Sequence, residues 1–126
     1  MYSIFLFPDK PQVTLSGHYS VDEGRDAFLY CKAVAYPTPV KYNWFKNGKQ
    51  IISDPNGDFV IDSLADRRSR LTVKQVKYED PYNQMYYCSG TNVMGTGKEK
   101  SFQLFVNCKL RFFFLLPNLQ WVVFQS

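Results

Sequence analysis

Few side chains in this 126-residue sequence have the types and spacing that covalent or metal chemistry needs. The sequence contains one histidine, His18, and three cysteines, Cys31, Cys88 and Cys108. A metal site requires histidine, cysteine or carboxylate ligands clustered at ligand spacing, and the sequence has no such cluster. A Ser–His–Asp arrangement would have to use His18, which lies early in the chain in a predicted strand or turn. The sequence therefore predicts no enzyme, no metal and no other cofactor.

The glycine-rich stretch GTNVMGTG (Gly90–Gly97) is a further candidate for ligand chemistry. A phosphate-binding loop of this kind opens a helix, but the residues that follow here alternate as a strand does. The stretch is therefore interpreted as a turn, in which Asn92, Gly95 and Gly97 suit a positive φ. Gly90 is predicted to face inward, where a small side chain leaves room for its neighbours.

The cysteines Cys31 and Cys88 have a structural explanation. Both occupy inward positions of predicted strands, 57 residues apart, and Trp44 lies inward 13 residues after Cys31. Two inward cysteines on separate strands of a two-sheet sandwich can bridge the sheets, and a nearby tryptophan can pack on the sulfur atoms. A bridge over a loop of this length would stabilise the fold by roughly 4 kcal/mol. Cys108 would then remain unpaired.

Short runs of alternating apolar and polar residues, separated by turn residues, predict the strands that position these side chains. The predicted strands are Pro11–Ser16, Ala27–Ala35, Val40–Lys46, Gln50–Ser53, Phe59–Ile61, Ser69–Val76, Met85–Asn92 and Lys100–Val106. The dipeptide Asn47-Gly48 is a strong signal for a tight hairpin turn. No segment shows a sustained helical period. Many short strands at near-regular spacing favour a sandwich or a barrel.

Four stretches of the sequence, in order and at matching spacing, resemble an immunoglobulin domain of the intermediate (I-set) type. They are VDEGRDAFLYC (Val21–Cys31), YPTPVKYNWFKNGK (Tyr36–Lys49), SRLTVKQV (Ser69–Val76) and YYCSGTNVMG (Tyr86–Gly95). The resemblance implies an all-β, immunoglobulin-like sandwich of two antiparallel sheets with Greek-key connections. It also implies a Cys31–Cys88 disulfide. The core signature that it implies is Trp44, Leu71 and Tyr86, and the Tyr86 hydroxyl would reach back to the backbone of the preceding corner.

The two ends of the chain differ from the predicted domain, which covers residues 8–106. Residues 1–7 are predicted to be a short apolar extension. They are not interpreted as a secretory signal, because such a signal needs a longer apolar run. Residues 107–126 are predicted to be an apolar tail outside the domain pattern. Arg111 and Pro117 interrupt this tail, so the sequence predicts no membrane span. The tail is interpreted either as foreign to the family pattern or as a cap over outward-facing aromatic residues.

Charge and alternation together indicate the kind of partner. The net charge is only +4, with both signs mixed along the chain, which argues against nucleic acid. Alternation predicts that Phe45, Tyr87 and Phe105 face outward on three neighbouring strands, and an exposed aromatic stripe is a candidate partner face. A second, basic patch is a candidate for heparan sulfate and consists of Arg67, Arg68, Arg70 and Lys74.

The resemblance implies a protein-recognition module of a cell-surface adhesion molecule or receptor. Such a module would be extracellular, part of a longer protein, and would bind protein partners that include other immunoglobulin domains. The alternative is a structural I-set spacer of a giant intracellular muscle or cytoskeletal protein, which would be cytoplasmic. The redox state of Cys31 and Cys88 discriminates between the two, because disulfides persist along the secretory route and are rare in the cytosol.

Overall fold

The computed structural model describes residues 7–38, 40–78, 84–108, 111–114 and 121–124, the last two ranges by their backbone alone. Strands dominate these residues. In chain order they are β1 (Asp9–Gly17), β2 (Ser20–Asp22), β3 (Ala27–Tyr36), β4 (Lys41–Lys46), β5 (Lys49–Gln50), β6 (Phe59–Ser63), β7 (Ser69–Val73), β8 (Met85–Asn92), β9 (Gly95–Thr96), β10 (Lys100–Gln103), β11 (Phe105–Asn107), β12 (Arg111–Phe114) and β13 (Trp121–Phe124).

Two antiparallel sheets enclose one core. The first sheet has the strand order β1-β3-β7-β6, and the second has the order β10-β8-β4-β5, with β9 paired to β8. The chain passes from one sheet to the other after β3, after β5 and after β7, as Greek-key connections require. The strands β2 and β11 pair in parallel, and β12 and β13 form a separate hairpin. The predicted all-β, two-sheet sandwich is therefore confirmed.

The core is built from the inward positions that alternation predicts. Cys31 of β3 and Cys88 of β8 form a disulfide between the two sheets, with Cα atoms 6.5 Å apart. Trp44, Leu71 and Tyr86 are buried beside it in the same apolar cluster. The predicted pairing of the two cysteines is confirmed. The corner that the Tyr86 hydroxyl is predicted to contact falls on residues 79–83, outside the described residues.

Turn geometry agrees with the sequence at one predicted turn and differs at another. Asn47 and Gly48 both have positive φ, 53° and 74°, and join Lys46 to Lys49 in a two-residue hairpin. In the glycine-rich stretch, Gly95 alone has positive φ, at 122°. The positive φ predicted at Asn92 and Gly97 is therefore wrong.

Contacts with neighbouring residues explain why Asn92 and Gly97 do not adopt a positive φ. Asn92 is the last residue of β8, and its side-chain Oδ1 accepts a hydrogen bond from Met94 N at 2.9 Å. Gly97 lies in tight contact with the backbone of Pro11. Gly90 faces the core as predicted, since a Cβ atom there would lie 2.9 Å from the Pro11 side chain.

Three predicted strands end early or are divided. The strand predicted over Ser69–Val76 ends at Val73, because Lys74 N donates to Asp58 O at 2.8 Å and Gln75 has a positive φ of 46°. The other two strands change because the chain changes its pairing partner. The strand predicted over Gln50–Ser53 ends at Gln50, and Asp54 N instead donates to Phe59 O across to the other sheet. The strand predicted over Lys100–Val106 is interrupted at Leu104. Beyond that residue the chain pairs with β2, a strand that the sequence analysis did not predict. The last residue of β11 is Asn107, whose carbonyl accepts a hydrogen bond from Glu23 N at 2.8 Å.

A buried hydrogen bond links the core tryptophan to the opposite sheet. Trp44 Nε1 donates to Ser69 Oγ at 2.9 Å, and both residues are buried. We expect Ser69→Ala to lower the free energy of unfolding by about 1–3 kcal/mol, because it leaves the indole N–H buried without an acceptor. Urea denaturation measures the change, with the exposed Ser101→Ala as the control. Equal stability of the two variants would contradict the prediction.

Candidate functional site

Phe45 and Tyr87 are direct cross-strand neighbours on the outer face of the second sheet. Antiparallel pairing of β4 with β8 places the two residues opposite each other. Gln50 lies opposite Phe45, and Ser101 lies opposite Tyr87. These four residues form one row across β5, β4, β8 and β10, and both aromatic side chains are partly buried within it. The structure thus brings together two of the three residues predicted for the partner face.

A hydrogen-bonded polar group continues this face beside the aromatic pair. Asn43 Nδ2 donates to Ser89 Oγ at 3.3 Å and to Thr91 Oγ1 at 3.0 Å. The hydroxyl oxygens of Thr91 and Thr96 lie 2.7 Å apart. Ser89 is only 4% exposed although it points away from the core. These contacts hold the polar side chains in place, so the face presents a fixed pattern of donors and acceptors.

Charged side chains are rare on this outer face. One residue, Lys41, is charged among the outward positions of its strands, which are Lys41, Asn43, Phe45, Gln50, Met85, Tyr87, Ser89, Thr91, Thr96, Ser101 and Gln103. The centre of a protein interface is likewise depleted of charge and enriched in aromatic residues and methionine. The face shares the low charge and carries two aromatic residues and one methionine, while serine, threonine, asparagine and glutamine fill most of its other positions.

Phe105 lies apart from the aromatic pair. It belongs to β11, where it pairs with Ser20, and its N–H donates to Tyr19 O at 2.9 Å. The side chain is 51% exposed. It lies four residues beyond Ser101, the neighbour of Tyr87, which corresponds to roughly 13 Å along a strand. The structure therefore does not bring Phe105 beside the other two predicted residues.

Two of the three arginines of the predicted basic patch, Arg68 and Arg70, contact carboxylates on their own hairpin. Arg68 forms an ion pair with Asp66, and Arg70 forms one with Asp62 at 3.1 Å. Desolvation raises the pKa of Asp66, but hydrogen bonds from Arg68 and its charge outweigh this effect and lower that pKa. The guanidinium groups also lie over aromatic rings of β3, at 4.6 and 5.5 Å. Much of the positive charge of this patch is thus compensated within the domain.

The other two residues of the basic patch, Lys74 and Arg67, differ in the contacts of their side chains. Lys74 Nζ donates to Pro55 O at 2.7 Å. The side chain of Arg67 is exposed, while its backbone carbonyl accepts a hydrogen bond from the Tyr42 hydroxyl at 2.8 Å. Three of the four basic side chains therefore have partners in the domain. The heparan sulfate contact stays a prediction.

His18, the residue considered for catalysis, makes contacts of a structural kind with Phe28. His18 Nδ1 accepts a hydrogen bond from Phe28 N at 3.2 Å, and the two rings meet edge to face at 5.6 Å. Within the described residues, His, Cys, Asp and Glu form no group of three that could hold a metal ion. The same part of the chain contains no helix of the length and hydrophobicity that crossing a membrane requires.

Comparison with known proteins relates this chain to one protein family. Residues 10–92 match a family model described as "Immunoglobulin domain". The chain is 34% identical over 91 residues to the "Muscle M-line assembly protein unc-89" of Caenorhabditis elegans. That match covers 72% of this chain and 1% of the relative, so the chain spans a very small part of that protein.

Solved structures of similar fold come from muscle proteins and from adhesion or immune proteins. The titin A168169 structure has a TM-score of 0.67 at 21% identity, with 82% of this chain and 51% of that chain covered. The Dscam1 Ig7 domain, isoform 9, has a TM-score of 0.61 at 26% identity, with 78% and 100% covered. The insect immune protein hemolin has a TM-score of 0.63 at 22% identity, with 84% and 26% covered.

Proposed function

Because the chain belongs to the immunoglobulin domain family, we propose that it is a non-enzymatic protein-recognition module. It binds protein partners through the outer face of the sheet β10-β8-β4-β5. The observation that carries this proposal is the cross-strand pair of Phe45 and Tyr87 on a face whose strand positions hold a single charge. Aromatic residues on such a face supply contact area, and residues near the centre of an interface usually dominate its affinity.

The polar half of the face supports the same function. Asn43, Thr91 and Thr96 already hold one another by hydrogen bonds, so a partner would not have to order these side chains. Each rotamer-rich side chain that is immobilised on binding costs about 0.5–1.5 kcal/mol. A pre-ordered amide and hydroxyl group beside an aromatic pair therefore suits a specific protein contact, including one with another immunoglobulin domain.

The function is tested with Phe45→Ala combined with Tyr87→Ala. We expect this variant to weaken association at least about tenfold, since truncation of central aromatic residues commonly costs about 2 kcal/mol or more. Association is measured with a second copy of the chain and with proteins cross-linked to it in its native tissue. Unchanged affinity in every such association would overturn the proposed face.

Two further variants make this test specific. Val34→Ala with Tyr36→Ala removes apolar side chains that are exposed on the other sheet, and we expect it to leave association unchanged. Ser101→Glu adds a charge at an exposed position beside Tyr87. It should weaken association without removing any core contact, and denaturation of each variant shows whether the fold is intact.

We place the module on the cell surface or outside the cell, as part of an adhesion molecule or receptor. The Cys31–Cys88 disulfide supports this placement, because structural disulfides are typical of oxidising compartments. The likeness to the Dscam1 Ig7 domain is consistent with it.

The second candidate is a structural domain of a giant muscle or cytoskeletal protein. The observation that favours it is the 34% identity to a muscle M-line assembly protein. Mass spectrometry of the native protein, alkylated under non-reducing conditions, separates the two candidates. A linked Cys31–Cys88 peptide supports the extracellular module, and alkylated thiols at both positions support the intracellular structural domain.

A further inference from the structure

A groove lies between β1 and the segment that leads into β10. Its volume is about 330 Å³, and three lysines line it: Lys10, Lys98 and Lys100. The remaining lining includes Gln12, Thr96 and the close-packed Pro11 and Gly97. Three positive charges thus converge on one site, at Thr96 beside the edge of the outer face that carries Phe45.

The three lysines have no ion-pair partner in the part of the chain that the structure describes. The ion pairs found there join other basic residues to their carboxylates. Asp9 is the acidic residue that lines the groove, and its Oδ1 accepts a hydrogen bond from the Lys10 backbone N–H at 2.7 Å. The groove is therefore cationic, in contrast to the arginine hairpin, where neighbouring carboxylates compensate the charge.

The walls of the groove are held in place by backbone packing. Gly97 lies directly against the carbonyl group of Pro11, so β1 approaches the chain before β10 without an intervening side chain. The stem of Lys10 lies across Gly95, where a Cβ atom would be 3.2 Å from Lys10 Cε. The absence of a side chain at Gly95 thus leaves space for the Lys10 stem, which lies along the turn.

We propose that this groove binds an acidic segment of a partner protein. The lining carries three lysines against one acidic residue, Asp9, so it suits carboxylates better than an uncharged ligand. Lys98 and Lys100 are two residues apart, a span of at most about 7 Å. Carboxylates on alternate residues of an extended peptide have the same spacing. The proposal applies in either compartment, because acidic protein segments occur in both.

Lysines at an open sheet edge also have a simpler role, which is to prevent unwanted strand pairing. β10 is the last strand of its sheet, so this role predicts no peptide affinity at the groove. The experiment therefore measures fluorescence anisotropy of a labelled synthetic peptide that alternates glutamate and serine, at low salt where charge interactions are least screened.

Two triple variants with the same loss of charge make the comparison. The groove variant is Lys10→Gln, Lys98→Gln and Lys100→Gln, and the control is Lys32→Gln, Lys49→Gln and Lys77→Gln, all at exposed positions. We expect the groove variant to bind the peptide about tenfold more weakly, as the loss of several modest charge pairs implies. The control should stay within about twofold of the original chain, because its lysines lie outside the groove.

Each other outcome overturns the proposal. Equal weakening in both variants would mean that net charge alone attracts the peptide. Unchanged binding in the groove variant would leave the lysines with the edge-protecting role. A parallel titration with a heparin-derived oligosaccharide identifies the source of the anion, because tight groove-dependent binding of the oligosaccharide without binding of the peptide would assign the site to a sulfated glycan. Melting curves of both variants establish that all comparisons use folded protein.

Discussion

Replacement of Cys31 by alanine together with Cys88 by valine is expected to lower the free energy of unfolding by about 4 kcal/mol. The bridge closes a loop of 57 residues in sequence separation, and its loss returns that conformational freedom to the unfolded chain. Both sulfur atoms are fully buried beside Trp44, so the substitutions also change core packing. Domains are commonly stable by only about 5–15 kcal/mol, which makes this a large fraction of the total.

Guanidinium denaturation of the oxidised chain and of the double variant measures this difference. Cys108→Ser is the matched control, because Cys108 is a free, half-buried thiol, and we expect it to change stability by less than about 1 kcal/mol. Reductant should destabilise the original chain and leave the double variant unaffected. Stability of the double variant equal to that of the original chain would show that the bridge does not constrain the unfolded state.

The free energy of unfolding that is lost with the disulfide also bears on the two proposed compartments. In a reducing cytosol the domain would have to fold without the bridge, through the apolar cluster around Trp44, Leu71 and Tyr86 alone. A double variant that remains folded would be compatible with the muscle-type structural domain. One that unfolds at physiological temperature would restrict the domain to an oxidising compartment.

Alternation along the chain predicted which side chains face the core, because a strand turns every second residue to the same face. Leu29, Cys31, Trp44 and Leu71 are buried as expected, and the same rule placed Phe45 outward. The rule failed to predict where strands end. Those limits depend on partner strands, as at Leu104, where the chain leaves β8 and joins β2.

Long-range packing accounts for several contacts and for the lysine groove that the sequence alone did not reveal. Asn92 donates to Asp9 O at 2.8 Å and to Pro37 O at 3.1 Å, and so connects three segments. No local pattern around Asn92 indicates this role. The lysine groove joins Lys10 to Lys98, and proximity in sequence could not reveal it. The arginine cluster was visible in the sequence because its members are adjacent. The ion pairs with Asp62 and Asp66 compensate much of its positive charge.

Gly97→Ala is expected to lower the free energy of unfolding by about 3 kcal/mol or more, at the upper end for overpacking. A Cβ atom at this position would collide with the Pro11 carbonyl oxygen and lie 3.0 Å from its carbonyl carbon. Both atoms belong to the backbone of β1, which is hydrogen-bonded to β3. Relief of the collision therefore requires β1 to move away from Gly97, at a cost to strand pairing or to the buried contacts of Pro11.

Gly48→Ala is the control that separates this collision from backbone strain. Gly48 has a φ of +74°, and no atom lies within 4 Å of the position that a Cβ atom would take there, whereas Gly97 has no positive φ. We expect Gly48→Ala to cost only about 1–2 kcal/mol, the penalty for a left-handed conformation. Urea denaturation of both variants gives the comparison. A milder effect at Gly97 than at Gly48 would mean that β1 is not seated against Gly97, and the walls of the lysine groove would then lack the close approach that holds them.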